Sequence, residues 1–179
     1  LFPLAATDAA AAAVPCSPGL KASSGPAEID DDSPVYFYGH KACWREFSNF
    51  YPSKLSVSFK FPDGREVCCD ALCAEQGIMY YKAMLFKDEA RAAAILAVGD
   101  RPARCKQLGR LVGKSPAPQP FDNDAWLSVR DDIAEAVVFA KFDQDSHLAS
   151  RLLATGTRPI AEAAGRRDKQ WGIGLTVAQ

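Results

Sequence analysis

The sequence predicts a helix-rich α+β domain with a small antiparallel sheet. Three observations predict it. Leu55, Val57, Phe59 and Phe61 alternate with polar residues, the period of a half-buried strand. Asp63-Gly64 follows directly, the strongest short hairpin signal. Beyond Asp70 the apolar residues change to helical spacing, and strands followed by helices is the order of an α+β fold rather than a doubly wound sheet.

The elements follow in chain order. Residues 1–33 are rich in Ala, Pro, Ser and Gly and end in the acidic run Glu28, Asp30, Asp31 and Asp32. They show no structural period and are expected to form a disordered tail ahead of a domain over 34–179. Val35-Tyr36-Phe37-Tyr38 reads as a buried strand closed by Gly39. Arg65 to Cys68 is the return strand of the hairpin. Asp70 is placed to cap a helix running from about Ala71 to Phe86, its carboxylate accepting from the first-turn amides. A second helix spans about Asp88 to Gly99. A third starts near Arg101-Pro102, with proline at a tolerated first-turn position, and ends near Val112. Lys114 to Pro120 holds three prolines and is a loop. Trp126, Val129, Ile133, Val137 and Ala140 recur at three- and four-residue spacings and mark the apolar face of a helix ending near Phe142. Leu148, Leu152 and Leu153 belong to a short helix stopped by Gly156. Trp171-Gly172-Ile173-Gly174-Leu175 is loop or strand.

Composition narrows the function. A chain of 179 residues with 48% hydrophobic and 24% charged residues can bury a core without disulfides or a metal. A net charge of -1 and a pI of about 6.2 argue against electrostatic coating of nucleic acid, although a local basic patch stays open. The six cysteines are irregularly spaced, and adjacent Cys68 and Cys69 fit no common zinc pattern. They are expected to be free thiols in a reducing, cytoplasmic compartment. No stretch approaches the roughly 18 apolar residues of a membrane span, and Leu1 to Pro15 lacks the basic start of a secretory signal.

Four segments carry residues suited to chemistry. Glu75, Met79 and Lys82 lie at i, i+4 and i+7 on one helix face, where a carboxylate and an amine suggest a polar cleft beside the core. An ordinary exposed pair explains the same spacing. Phe47-Ser48-Asn49-Phe50-Tyr51-Pro52 frames a Ser-Asn pair with aromatics; Asn49 offers the donor and acceptor that a ribose hydroxyl pair needs, and a simple turn is the alternative. Lys106-Gln107-Leu108-Gly109-Arg110 ends a helix with two cations, and Arg110 can hold a phosphate through two parallel hydrogen bonds or simply complement the helix dipole. Asp168-Lys169-Gln170-Trp171-Gly172 supplies a second carboxylate and an indole open to a flat ligand, or a tryptophan that anchors the C-terminal loop.

Taken in order, these segments resemble the NADAR, or YbiA-like, family. The resemblance rests on Phe47-Ser48-Asn49-Phe50-Tyr51, Cys73-Ala74-Glu75-Gln76, Lys82-Ala83, Leu85-Phe86, Leu108-Gly109-Arg110, Trp126 with Val129-Arg130, Lys141-Phe142, Leu152-Leu153-Ala154-Thr155-Gly156, and Asp168 with Trp171-Gly172-Ile173-Gly174. It runs from about Val35 to Leu175. It implies an N-glycosidase acting on ribose phosphates of the riboflavin pathway or on ADP-ribosylated guanine in nucleic acid, with no metal, no organic cofactor and no membrane partner. It leaves oligomeric state open. It further implies Glu75 and Asp168 as the catalytic carboxylates, with Ser48, Asn49, Lys82, Arg110, Trp126, Trp171 and Gly172 binding substrate. Two features depart from the family pattern. The segment Glu162 to Arg167 before Asp168 is one residue longer, and relatives continue past Gly172-Ile173-Gly174 with a further helix, so the domain is expected to be shortened at its C-terminal end. A non-catalytic NAD or ADP-ribose reader with the same pocket is the alternative function, and a structural domain with a partner-binding tail is a third.

Overall fold

The structure, a computed structural model, describes residues 33–39, 43–114, 117–164 and 172. Four strands and five α-helices lie among them: β1 Val35–Phe37, β2 Leu55–Lys60, β3 Glu66–Ala71, α1 Ala74–Leu85, α2 Glu89–Ala97, α3 Pro102–Gly109, α4 Asn123–Asp143, α5 Ser146–Leu153 and β4 Ile160–Glu162. The α+β class holds, and so does the small antiparallel sheet.

That sheet is the expected hairpin. β2 and β3 pair from Leu55↔Ala71 to Lys60↔Glu66. The turn between them needs Gly64 at φ +86°, a backbone region in which a Cβ is strained. Asp63 accepts from the Arg65 amide and guanidinium, and this pairing holds its carboxyl below the usual value. The inward residues Leu55, Phe61, Cys69 and Ala71 are buried. They pack with Ile78, Tyr81 and Ala83 of α1 and with Trp126, Val129, Ile133 and Val137 of α4 in one core. The Tyr81 hydroxyl reaches back to donate to the Val57 and Val67 carbonyls at 2.6 and 3.1 Å. At Ser56 the outer edge of β2 is engaged by Gln144, whose amide bonds both the N–H and the carbonyl of that residue.

The expected cap at Asp70 is wrong. The alternation of β3 continues through buried Cys69 and Ala71, so Asp70 points outward and accepts from the Ser56 hydroxyl across the ladder. α1 begins later, with Cys73 in the N-cap position and no side-chain cap bond. Its next residue but two, Gln76, is buried and structural. The Gln76 amide accepts from Leu72 N–H and donates to the Ile95, Leu96 and Gly99 carbonyls, satisfying the C-terminal end of α2.

Asp88, where the second helix is expected to start, caps α2 by accepting from Arg91 N–H, and its second oxygen accepts from Gly113 N–H. α3 ends at Gly109, three residues before the expected Val112, and Arg110–Gly113 continue as turns. α4 buries the predicted stripe and adds Lys141, which is only 1% exposed. β1 is buried only at Val35, while Tyr36 is exposed. Its partner is β4, in a parallel pair from Val35↔Ile160 to Phe37↔Glu162 that sequence reading did not anticipate. Glu162 also bridges to Gly172. The rest of the segment Trp171 to Leu175 lies outside the described residues, as does the segment 1–32. Among the described residues, no helix is long and apolar enough to cross a membrane.

Candidate active site

Glu75 is the second residue of α1 and is 3% exposed, so it is not half of a surface ion pair. Its backbone N–H donates to the Asn49 carbonyl at 2.9 Å, which joins the first turn of α1 to the Ser48-Asn49 turn. Position and burial put its carboxylate at the positive end of the helix dipole in a site of low dielectric. Its charge is felt by Cys73, Lys82 and Cys105.

The Ser48-Asn49 turn is shaped from both sides. Ser48 is buried, its hydroxyl accepts from Phe50 N–H at 3.2 Å, and its carbonyl accepts from Tyr51 N–H at 3.0 Å. Upstream, a 3-10 turn at Arg45–Phe47 follows Trp44, whose φ of +62° is in the left-handed region. The Phe47 ring meets Trp44, Phe37 and Phe142 with centroids 5.4, 6.0 and 5.6 Å away. Glu46 is buried and ion-paired to Arg151 of α5, whose guanidinium also lies over the Trp44 ring. From α4, the Lys141 ammonium donates to the carbonyls of Glu46 and Ser48 at 2.6 and 2.8 Å.

Two turns along α1 from Glu75, the half-buried Lys82 ammonium sits over the rings of Phe121 and Trp126, 4.6 and 5.3 Å from their centroids. Burial pushes its pKa down, Glu75 pulls it back up, and Lys114 lowers it further. Phe121 packs in turn against Phe86 at 5.0 Å. α3 presents Lys106 over the Phe50 ring at 5.7 Å, next to Asn49. Arg110 is exposed at the C-cap of α3, one turn beyond Lys106. A cavity of about 550 Å³ lined by Lys87, Asp88, Arg91 and Lys114 lies past the other end of α1; it includes neither Glu75 nor Asn49, so volume alone does not mark the chemistry.

The structure thus brings together Ser48, Asn49 and Glu75, and it brings together Lys82 and Trp126, with the field of Glu75 reaching Lys82. Gly172 is described only through its bridge to Glu162. Asp168 and Trp171 lie outside the described residues. Sequence reading gave no role to Lys106, Phe121 or Lys141. Lys141 carried a signal, since it sits four residues after Val137 and so on the buried stripe. Lys106 was noticed only as one of two cations at the end of a helix, and nothing local distinguished it from Arg110.

The chain is similar to known proteins in both sequence and fold. A family model described as the NADAR domain matches residues 36–179. The chain is 34% identical over 154 residues to an N-glycosidase of Acanthamoeba polyphaga mimivirus, covering 84% of each. It is 32% identical over 149 residues to the irg-1 protein of Caenorhabditis elegans, covering 80% of this chain and 66% of that one. A riboflavin biosynthesis protein of Vibrio vulnificus is 28% identical over 143 residues, and there the match spans 34% of the longer relative. The solved structure of the E. coli protein YbiA superposes with a TM-score of 0.58 at 26% identity, covering 80% of this chain and 73% of that one.

Proposed function

We propose that this chain, which belongs to the NADAR domain family, is an N-glycosidase that hydrolyses the C1–N bond of a phosphorylated ribosyl compound, with Glu75 as its central carboxylate. The observation that carries this reading is the burial of Glu75 at a helix N-terminus, bonded through its backbone to the Ser48-Asn49 turn. Similarity to a viral N-glycosidase supports the reaction class.

Cleavage of the C1–N bond builds positive charge on the ribose ring. A fixed carboxylate in a dry site stabilises that charge far better than one in water. Glu75 also takes a proton from the attacking water as its oxygen bonds to C1. The electron pair of the broken bond leaves with the base nitrogen, which is protonated in turn, a step assigned here to Asp168. Asn49 and Ser48 hold the ribose hydroxyls. Lys82 and Arg110 take the phosphate, whose remote binding energy holds the bond in place for attack. Trp126 walls the site beside Lys82, Trp171 stacks on the base, and Gly172 leaves room for its close approach. The substrate class is a riboflavin-pathway ribose phosphate or an ADP-ribosylated guanine.

The test is release of free base, followed by chromatography, from an aminopyrimidine ribose phosphate, an ADP-ribosylated guanine oligonucleotide and NAD. The wild-type chain is expected to release base from at least one of them. Glu75→Gln is expected to bind that compound within a few-fold of wild type and to turn it over about 10³-fold more slowly. Near-normal turnover by Glu75→Gln removes the carboxylate from its role. Binding without any base release by the wild type means a reader of the ligand rather than an enzyme.

A further inference from the structure

Lys141 has no place in the chemistry above, yet it occupies the most expensive position a lysine can have. It is 1% exposed, on the stripe of α4 that otherwise carries Val129, Ile133, Val137 and Ala140. A buried ammonium costs several kcal/mol unless its donors are satisfied. Lys141 spends them on backbone: the Glu46 carbonyl at 2.6 Å and the Ser48 carbonyl at 2.8 Å. The nearby Glu46 carboxylate is engaged by Arg151 instead. A methionine of similar volume would fill the space without the desolvation cost. What it would lack is direction. Two carbonyls two residues apart converge on one ammonium, and the Tyr51 and Phe142 rings stand 5.7 and 5.1 Å from it.

The residue after Ser48 is Asn49, whose carbonyl receives the Glu75 N–H. α1 has no side-chain cap at Cys73. The first turn of α1 is therefore tied on one side by the Gln76 amide to the end of α2 and on the side of the Ser48-Asn49 turn by this backbone bond. We propose that Lys141 is a positioning residue: from α4 it fixes the turn at residues 46–51, and through the Asn49 carbonyl it fixes the helical turn that presents Glu75. The inference rests on the glycosidase reading for its catalytic consequence, but not for its structural one. Misplacing a reacting group by about 1 Å costs on the order of 10²-fold in rate.

The experiment compares the full chain with Lys141→Met and with Ile133→Ala, which opens a cavity on the same face of α4 two turns earlier. Lys141→Met is expected to lower kcat by about 10- to 100-fold with KM changed less than about threefold. The Glu75 amide is expected to exchange with solvent roughly tenfold faster or more, while Ile78, one turn on, keeps its protection. Ile133→Ala is expected to lower the melting temperature while leaving kcat within about twofold of wild type. Wild-type turnover in Lys141→Met, an equal loss of kcat in Ile133→Ala, or an unchanged Glu75 amide overturns the proposal. Amide exchange needs no substrate, so if the wild type cleaves none of the compounds, the glycosidase reading fails and the placement of Glu75 by Lys141 is still decided. If Lys141→Met does not fold, the wild type alone decides. The amides of Ser48, Tyr51 and Glu75 are then expected to exchange as one class, and a Glu75 amide opening more than about tenfold faster than the other two overturns the proposal.

Discussion

Burial pushes the Lys141 pKa down from 10.5 to about 8, with Cys73 and Glu46 pulling it partly back. The same burial pushes the Cys69 and Cys105 thiols up from 9.0 to about 12, helped by Asp70 at Cys69 and by Cys73 and Glu75 at Cys105. The two effects oppose each other as pH rises. Between pH 8 and 10.5 the unfolded chain holds a proton at residue 141 that the folded chain has released, so stability rises with pH at about 1.4 kcal/mol per unit. Above pH 9 the unfolded chain releases the Cys69 and Cys105 thiol protons that the folded chain keeps, and burial raises the Cys73 thiol in the same direction, so these thiols lower stability at about twice that slope or more. Below pH 9 the lysines set the slope, Lys141 foremost with Lys82 lowered as well, and beyond pH 9 the thiols win. Urea midpoints under reducing conditions are expected to rise by the equivalent of about 1 kcal/mol to a maximum near pH 9, then decline. In Lys141→Met the rise is expected to shrink to what Lys82 contributes and the decline to remain. A wild-type midpoint that falls steadily from pH 8 would mean that residue 141 stays charged in the fold.

Packing between elements explains both what the sequence displayed and what it hid. The hairpin and the helices were legible because their periods are local: Leu55, Val57 and Phe59 alternate within one strand, and Trp126 to Ala140 repeat along one helix. The β1–β4 pair was not, because three-residue strands show no period and Val35 and Ile160 meet only through the tertiary fold. Asp70 was misread because capping was judged from its distance to the helix, while its fate was set by the pleat of β3. In the sequence Gly109 stands only as part of a motif. In the structure it allows α3 to approach α1, since a Cβ there would fall 2.9 Å from Met79 Cγ and closer still to its sulfur. Gly→Ala inside a helix ordinarily gains about 0.5–1 kcal/mol, and here overpacking should exceed that gain. Gly109→Ala is expected to destabilise by about 1–2 kcal/mol with Met79 in place. In a Met79→Ala background the same substitution should be neutral or stabilising. Thermal denaturation of the four chains gives the cycle, and the same sign in both backgrounds would show that the helices part without cost.

Over the whole chain the candidate site draws on the turn at 48–50, both ends of α1, α3 and the start of α4, stretches that no local pattern could join. The residues alone pair Ser48 with Asn49, put Glu75 and Lys82 on one helix face and give Trp126 to the apolar stripe of α4; the Asn49–Glu75 bond and the placing of Lys82 over Trp126 join these pieces in space. The charge distribution has a similar character. The formal net charge is -1, which by itself gives an anionic substrate no attraction. Yet Lys82 is close enough to feel both Glu75 and Lys114, while Lys106 stands over Phe50 and Arg110 ends α3. If these cations receive a phosphate, capture of substrate depends on a local field that salt screens, whereas bond cleavage beside buried Glu75 does not. Raising ionic strength from about 0.05 to 0.2 M roughly halves the Debye length. Across that range kcat/KM for the phosphorylated substrate is expected to fall by about three- to tenfold, while kcat at saturation stays within about twofold. Lys82→Met should lower kcat/KM and flatten its salt dependence, because the field it loses is the field that salt removes. A kcat/KM indifferent to salt in the wild type would take the cations out of substrate capture and leave Glu75 facing a ligand recognised by its rings and hydroxyls alone.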